Sequence, residues 1–304
     1  MSEIRGGRVA RAAVAFVVAT AASAITPTAV AATYGAGCVV PERPATASSA
    51  NLVPPATAAR VEASRRAGAA APVTARRAGT PIPVYVHVVS KDSTPEGGNL
   101  SDQQVFAQVA VLNQAYSPTN VQFRLASITR MTNSGVFNDA TPWSNREAIM
   151  KELRRGGADA LNIYTVGAPD GHDRNLLGHA TFPWDYKAAP KRDGIVVHYG
   201  TLPGGNVKDR NLGKTAVRMT GHWLGLFNTF QGGCSNPGDY VDDTAPEAIG
   251  SNGCPEGRDS CPGGELDPIH NYMDTGIDTC ATEFTPGQAA RIKTALSAYR
   301  NINL

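Results

Sequence analysis

No stretch of this chain reaches the ~20 consecutive apolar residues that a membrane-spanning helix needs. The apolar run from Ala12 to Ala22 falls well short and no later segment is long enough, which argues against a membrane protein. Charge is scarce as well. Asp, Glu, Lys and Arg make up 18% of the 304 residues against 42% hydrophobic ones, a balance that supports a buried core and excludes a disordered chain. Lysine is missing before residue 78 and acid is sparse there, so the formal charge of +2 comes from leader arginines. From Gly79 onward 19 basic side chains face 23 acidic ones. A mildly acidic domain with no clustered basic face has no footprint for nucleic acid. No internal repeat is visible, which excludes a solenoid. The late cysteines are spaced 20, 7 and 19 residues apart with no CxxC, which speaks against a metal cage.

The chain starts with the order of an export signal over residues 1–32: arginines at 5, 8 and 11, the apolar run, then small residues ending Ala29-Val30-Ala31. The expected location is therefore extracellular. Residues 33–80 follow, rich in Ala, Pro, Ser, Thr and Arg and poor in large apolar side chains, so they cannot form a core of their own. They read either as a disordered leader or as a pro-segment removed at Arg65-Arg66 or Arg76-Arg77. Four of the five cysteines, Cys234, Cys254, Cys261 and Cys280, fall in one late window, while Cys38 stands alone. That usage suits an oxidising compartment.

One main domain is expected over 81–304. It begins at Ile82, where IPVYVHVV is apolar on both faces, as in an interior strand, and His87 within it reads as a hydrogen-bonded core residue. Ser101 with Gln104 three residues on is the signature of a capping box, and Val105, Phe106, Val109, Leu112 and Tyr116 recur at helical spacing. Val121, Phe123 and Leu125 alternate as in a strand with one buried face. A helix over Ser144 to Arg155 is expected to end at Gly156-Gly157, and strands follow at Ala160 to Val166 and Gly194 to Tyr199. Strands alternating with helices give an α/β (α+β) fold, a mixed sheet backed by helices. From Leu202 on, Gly, Pro and Cys predict a loop-rich third.

Within that third, Arg218-Met219-Thr220-Gly221-His222-Trp223-Leu224-Gly225-Leu226-Phe227-Asn228 has the spacing of a metalloprotease helix. A peptide-cleaving zinc site needs three neutral imidazoles, an open position for water and a carboxylate to take its proton. Residues four apart share a helix face, so HExxH presents two ligands and the base, and HExxHxxGxxH delivers the third after a glycine turn. Here the frame is present without the ligands. A lone His222 followed by Trp223 and Leu224 also reads as core packing. Asp239, Asp242 and Asp243 with Thr244 form an acidic turn whose oxygens are candidates for calcium or for plain solvation.

The segments GHWLGLFNTFQGGC, GDYVDDT, GCPEGRDSC, DPIHNYMD and FTPGQAARI, together with LLGHATFP and LPGG, resemble the pappalysin, or cytophagalysin, family of metzincins from about Ile82 to the C-terminus. The resemblance implies a metzincin-like twisted mixed sheet, a backing helix, an active-site helix and a disulfide-stapled C-terminal part with a Met-turn at Met273. It favours Cys234 with Cys261 and Cys254 with Cys280 among the three pairings that four cysteines allow. It allows calcium at the acidic turn, as the family's equivalent region can hold it. Cys38 is similar to a pro-segment cysteine that masks zinc in related zymogens, and equally reads as an unpaired or partner-bonded thiol.

The resemblance implies a zinc endopeptidase, and this sequence departs from it at named positions. Arg218 stands at the first histidine ligand, Met219 at the general-base glutamate and Asn228 at the third ligand. His222 alone of the ligand set is retained, and Thr275 occupies the Met-turn tyrosine position. An arginine has no lone pair to offer. A guanidinium pointing at a divalent ion from ~4 Å would be repelled by roughly 8 kcal/mol at an effective dielectric of about 20. Met219 cannot accept a proton, and loss of a general base alone forfeits about 10²- to 10⁴-fold in rate. A rebuilt set using His179, His198 or His270 beside His222 would need two ligands and a base aimed at one point. The expected protein is a secreted, catalytically inactive homologue, with zinc absent or weakly held and a peptide or protein ligand in its cleft. An active zinc endopeptidase and an inert secreted scaffold are the rivals.

Overall fold

The computed structural model describes residues 51–69, 79–139, 145–167 and 176–304. The export signal, Cys38 and the Arg76-Arg77 pair lie outside the described residues. Five strands form one sheet: β1 (Ile82–Ser90), β2 (Phe123–Thr132), β3 (Leu161–Val166), β4 (Gly178–Ala180) and β5 (Ile195–His198), in the spatial order β2-β1-β3-β5-β4. β1 pairs in parallel with β2 and β3, and β3 with β5, while β4 runs antiparallel along β5 at the sheet's edge. The central strands are covered on both faces, which is why β1 and β3 read as nearly continuous apolar runs.

The helices are α1 (Pro55–Ala69), α2 (Asp102–Tyr116), α3 (Ser134–Asn138), α4 (Asn145–Leu153), α5 (Lys214–Trp223) and α6 (Pro286–Ala295). α2 backs the sheet. Its capping box is complete, with the Ser101 side chain accepting from Gln104 N and the Gln104 side chain accepting from Ser101 N. Val105, Val109, Leu112 and Tyr116 point into the main core beside Val84, Val86, Ile163, Val217 and Trp223. Phe106 shares their spacing but lies outward, half exposed. His87 is the core residue expected: its Nε2 meets Asn162 Oδ1 at 3.0 Å and its ring stacks on Tyr164.

Several boundaries differ from the sequence reading. The strand expected at Val121 to Leu125 runs on to Thr132, because an outer strand paired along β1 needs little apolar alternation to persist. The helix expected to reach Arg155 ends at Leu153, where the Arg154 guanidinium turns inward to Asp193 and to the Gly156 and Gly157 carbonyls. The loop-rich third contains α6, started by a second capping box at Thr285 and Gln288.

Within residues 33–80, expected to be a pro-segment or disordered leader, the described residues include a helix. Residues 55–69 form α1, which lies against α6, with Ala58 and Val61 buried and Tyr299 OH donating to Val61 O at 3.3 Å. Few apolar groups suffice because a charge pair completes the contact: Glu62 accepts from Arg291 Nη1 at 2.6 Å with both side chains buried. Arg65, one half of an expected cleavage pair, is also bound to Glu62 within this helix. Among the described residues no helix is long and apolar enough to cross a membrane.

Candidate functional site

α5 carries the metalloprotease frame, and its start is fixed from a distance. Gly213, at φ +84°, precedes the first turn, and Asp278 Oδ2 accepts from Leu212 N at 2.8 Å and Lys214 N at 3.3 Å. A carboxylate at a helix N-terminus satisfies backbone donors that the helix leaves open. Tyr116 OH donates to Val217 O at 2.8 Å, holding α5 against α2. Trp223 closes the helix, its Nε1 donating to Asp193 Oδ2 at 3.1 Å and its ring lying 3.8 Å from the Arg300 guanidinium. Asp193 thus joins Arg154, Arg300 and Trp223 in one buried network, with Thr181 Oγ1 at 3.3 Å.

After Trp223 the chain reverses. Gly225 adopts φ +95°, a left-handed conformation that favours glycine, and Leu226 N bonds back to Gly221 O at 2.9 Å. That reversal folds Asn228 over the helix face that holds Arg218 and His222. Arg218 Nη2 donates to Asn228 Oδ1 at 2.6 Å. His222 Nδ1 bonds to Leu226 O at 2.9 Å, and Asn228 and Arg218 both act on its ring. The three positions 218, 222 and 228 therefore meet.

Their electrostatics follow from burial. Burial, reinforced by the Arg218 charge, pulls His222 down to about 3, so its ring is neutral at ordinary pH. Burial lowers Arg218 to about 10, against the pull of Asp274, which leaves its guanidinium charged at neutral pH. Met219 is buried, lying over Gly178 of β4.

Below α5 lies the turn at Met273. Its sulfur sits directly beneath Gly221, where an added Cβ would lie 2.4 Å from Sδ. Met273 N donates to Asn271 Oδ1 at 2.9 Å, and Asn271 exchanges two side-chain hydrogen bonds with Gln288 of α6. Thr275 is buried, with Oγ1 donating to Ser251 O at 2.8 Å. Arg210 donates to the carbonyls of Thr275 and Gly276. Arg218, Met219, Arg210, Lys214, Asp274 and Thr275 line one narrow cleft between α5, this turn and the β4 edge.

The remaining sequence candidates are placed separately. Cys234 is bonded to Cys261 and Cys254 to Cys280. In the acidic turn Asp239 accepts from Val241 N at 3.0 Å and Asp243 from Gly287 N at 2.8 Å, while Asp242 is exposed and Thr244 lies beside Asp239. His198 Nδ1 accepts from Gly200 N, and His270 Nδ1 faces Cys280 O. His179 is near enough to His222 to disfavour its charging. Among the described residues the only cluster of three metal-ligating side chains is His270 with the disulfide-bonded Cys254 and Cys280.

Sequence reasoning missed Arg210, Asp278, Asp193 and the Glu62–Arg291 pair. Asp278 and Arg210 act across more than 60 positions, and no local pattern marks them. The segment ahead of α1 was missed too: Asn51 Nδ2 donates to Ala180 O of β4 at 2.9 Å, and Val53 exchanges two hydrogen bonds with Gln231, just beyond Asn228.

Comparison with known proteins agrees with this architecture. The M43 peptidase family model, described as pregnancy-associated plasma protein-A, matches residues 159–297. A protein from Verticillium alfalfae named extracellular metalloprotease is 48% identical over 223 residues, spanning 71% of this chain and 76% of its own. Extracellular metalloprotease 1 of Coccidioides posadasii is 44% identical over 221 residues, spanning 71% and 76%. Among solved structures, mature mirolysin of Tannerella forsythia bound to a cleaved peptide matches with a TM-score of 0.62 at 27% identity, covering 75% of this chain and 97% of that one. A promirolysin variant matches with a TM-score of 0.66 at 25% identity, covering 81% and 90%. With a metzincin-like sheet, a turn at Met273 beneath the helix and relatives of this closeness, the chain belongs to the pappalysin family of metzincin metallopeptidases.

Proposed function

We propose that this chain is a secreted member of its family that has given up peptide hydrolysis and binds peptides in the retained cleft. Secretion rests on the export-type N-terminus and on relatives whose names describe them as extracellular. One observation carries the loss of chemistry: the guanidinium of Arg218 is hydrogen-bonded to the amide oxygen of Asn228 at 2.6 Å. Two of the three ligand positions are thus occupied by each other, and the cation already present is the protein's own.

The side chains do not fit a zinc ion. His222 offers Nε2, since Nδ1 is engaged with Leu226 O, and one imidazole does not hold zinc. Arg218 has no lone pair, and its charge repels a divalent ion. Met219, at the base position, is a soft thioether with no proton affinity for the task.

Metal content and proteolysis test the reading together. Purified full-length protein dialysed against zinc should retain far less than one equivalent and leave casein intact, with or without chelator. Stoichiometric zinc accompanied by chelator-sensitive cleavage would overturn inactivity in favour of the active endopeptidase that the 48%-identical relative's name suggests. Failure to retain any member of a diverse peptide library would instead favour an inert scaffold.

A further inference from the structure

Four arginines are buried among the described residues: Arg154, Arg218, Arg291 and Arg300. Three are ion-paired: Arg154 and Arg300 share Asp193, and Arg291 pairs with Glu62. Arg218 is the exception. Among the described residues no carboxylate comes within salt-bridge distance of it, and Nη2 spends its bond on a neutral amide. Its Nε has no hydrogen-bond partner, although a guanidinium carries five donors. Asp274 acts on Arg218 only from beyond salt-bridge distance, and a buried charge without an ion-pair partner is costly, whereas each of the other three has one.

Arg218 differs also in what it borders. It forms part of the wall of the narrow cleft, whose free space of about 30 Å³ is on the order of two water-sized groups, the size of a carboxylate. The charged side chains lining that space are Arg210, Lys214 and Arg218 against Asp274 and Asp278. Both acids are already satisfied: Asp278 caps the start of α5, and Asp274 accepts from Ser251 N and Oγ. Arg210 is tied to two carbonyls, and Lys214 Nζ lies against the Tyr272 ring and hydroxyl. Of these three cations Arg218 alone is buried, and it has donors to spare.

Resting on the reading that the zinc position no longer serves a metal, we propose that Arg218 makes the floor of this cleft a carboxylate-binding site for peptides. A guanidinium recognises carboxylates through paired N–H donors, so the ligand's charge would sit where the family places a cation. The shared chemistry is a peptide carboxylate, whether a free C-terminus or an acidic side chain.

Titration calorimetry of the full chain with three acetylated tripeptides separates these sources: trialanine with a free C-terminus, its C-terminal amide, and the Ala-Glu-Ala amide. At least one carboxylate-bearing peptide should bind tenfold or more tightly than the trialanine amide. Arg218→Gln should bring that ratio to about one, while Arg218→Lys should keep part of it, with folding of both variants checked by their melting transitions. Equal affinity for all three peptides in the unaltered protein, no binding of any, or a preference unchanged in a folded Arg218→Gln variant would each defeat the proposal. Cleavage of the peptides would count against inactivity instead, and the acid-over-amide comparison would still judge Arg218.

Discussion

Glu62 and Arg291 lie 229 positions apart and form a buried ion pair at 2.6 Å. The same arginine donates from Nε to the carbonyl of Gly225 at 2.9 Å, so Glu62 is one side chain removed from the turn that delivers Asn228. Removing one member of a buried pair strands the other. Glu62→Ala should destabilise the protein by about 3–5 kcal/mol, and the double change Glu62→Ala with Arg291→Met by clearly less. Urea unfolding of the three proteins measures this. A loss under about 1 kcal/mol for Glu62→Ala would mean that α1 contributes little to the fold.

Gly221 is required by Met273 beneath it. A methyl group at 221 would meet the Met273 sulfur at 2.4 Å, and both groups are enclosed. Overpacking of this kind costs about 1–3 kcal/mol. Gly221→Ala should therefore lower the urea midpoint at an unchanged m-value. A midpoint equal to that of the parent would show that the turn at Met273 yields freely.

Restoring the family's donors tests whether the frame alone is intact. Arg218→His, Met219→Glu and Asn228→His together remove the guanidinium and add two imidazoles and a base around His222. The triple variant should gain zinc, measured by mass spectrometry, and a chelator-sensitive cleavage of casein. A folded triple variant that remained free of metal would contradict the placement of 218, 222 and 228 as one site.

Asp239 gives the protein a pH signature. Burial pushes its carboxyl up to about 7 from an ordinary value of 3.8, despite the Val241 amide and Arg291, which favour ionisation. Between those values the folded chain keeps a proton that the unfolded chain has released. The contribution to stability is therefore complete below about pH 4, declines as pH rises to about 7, and is level above it. Asp239→Asn mimics the protonated form, so its advantage in melting temperature over the parent should grow across that window and then plateau. Calcium in the acidic turn would hold Asp239 ionised and lower the parent's pH dependence, and repeating the melts with millimolar calcium reads that directly.

Local chemistry in the chain determined much of the framework. The apolar run of β1 marks a buried central strand, Ser101 and Gln104 fix the start of α2, and Gly225 marks the reversal after α5. These signals act between neighbours or residues one helical turn apart, so they are written in consecutive letters. The spacing of 218, 222 and 228 likewise shows that these positions can share a site.

Tertiary structure alone decided what those positions do to one another. That Arg218 turns its donor to Asn228 and, among the described residues, has no carboxylate within salt-bridge distance, that Asp278 caps α5 from 64 positions away, and that Asp193 gathers Arg154, Trp223 and Arg300 are outcomes of packing. β4 is three residues long and held by its pairing with β5, and α1 has too few apolar residues to announce a docked helix. Each depends on a partner distant in sequence. Charge pairing and edge-strand hydrogen bonds leave no periodicity behind, so only the folded chain reveals them.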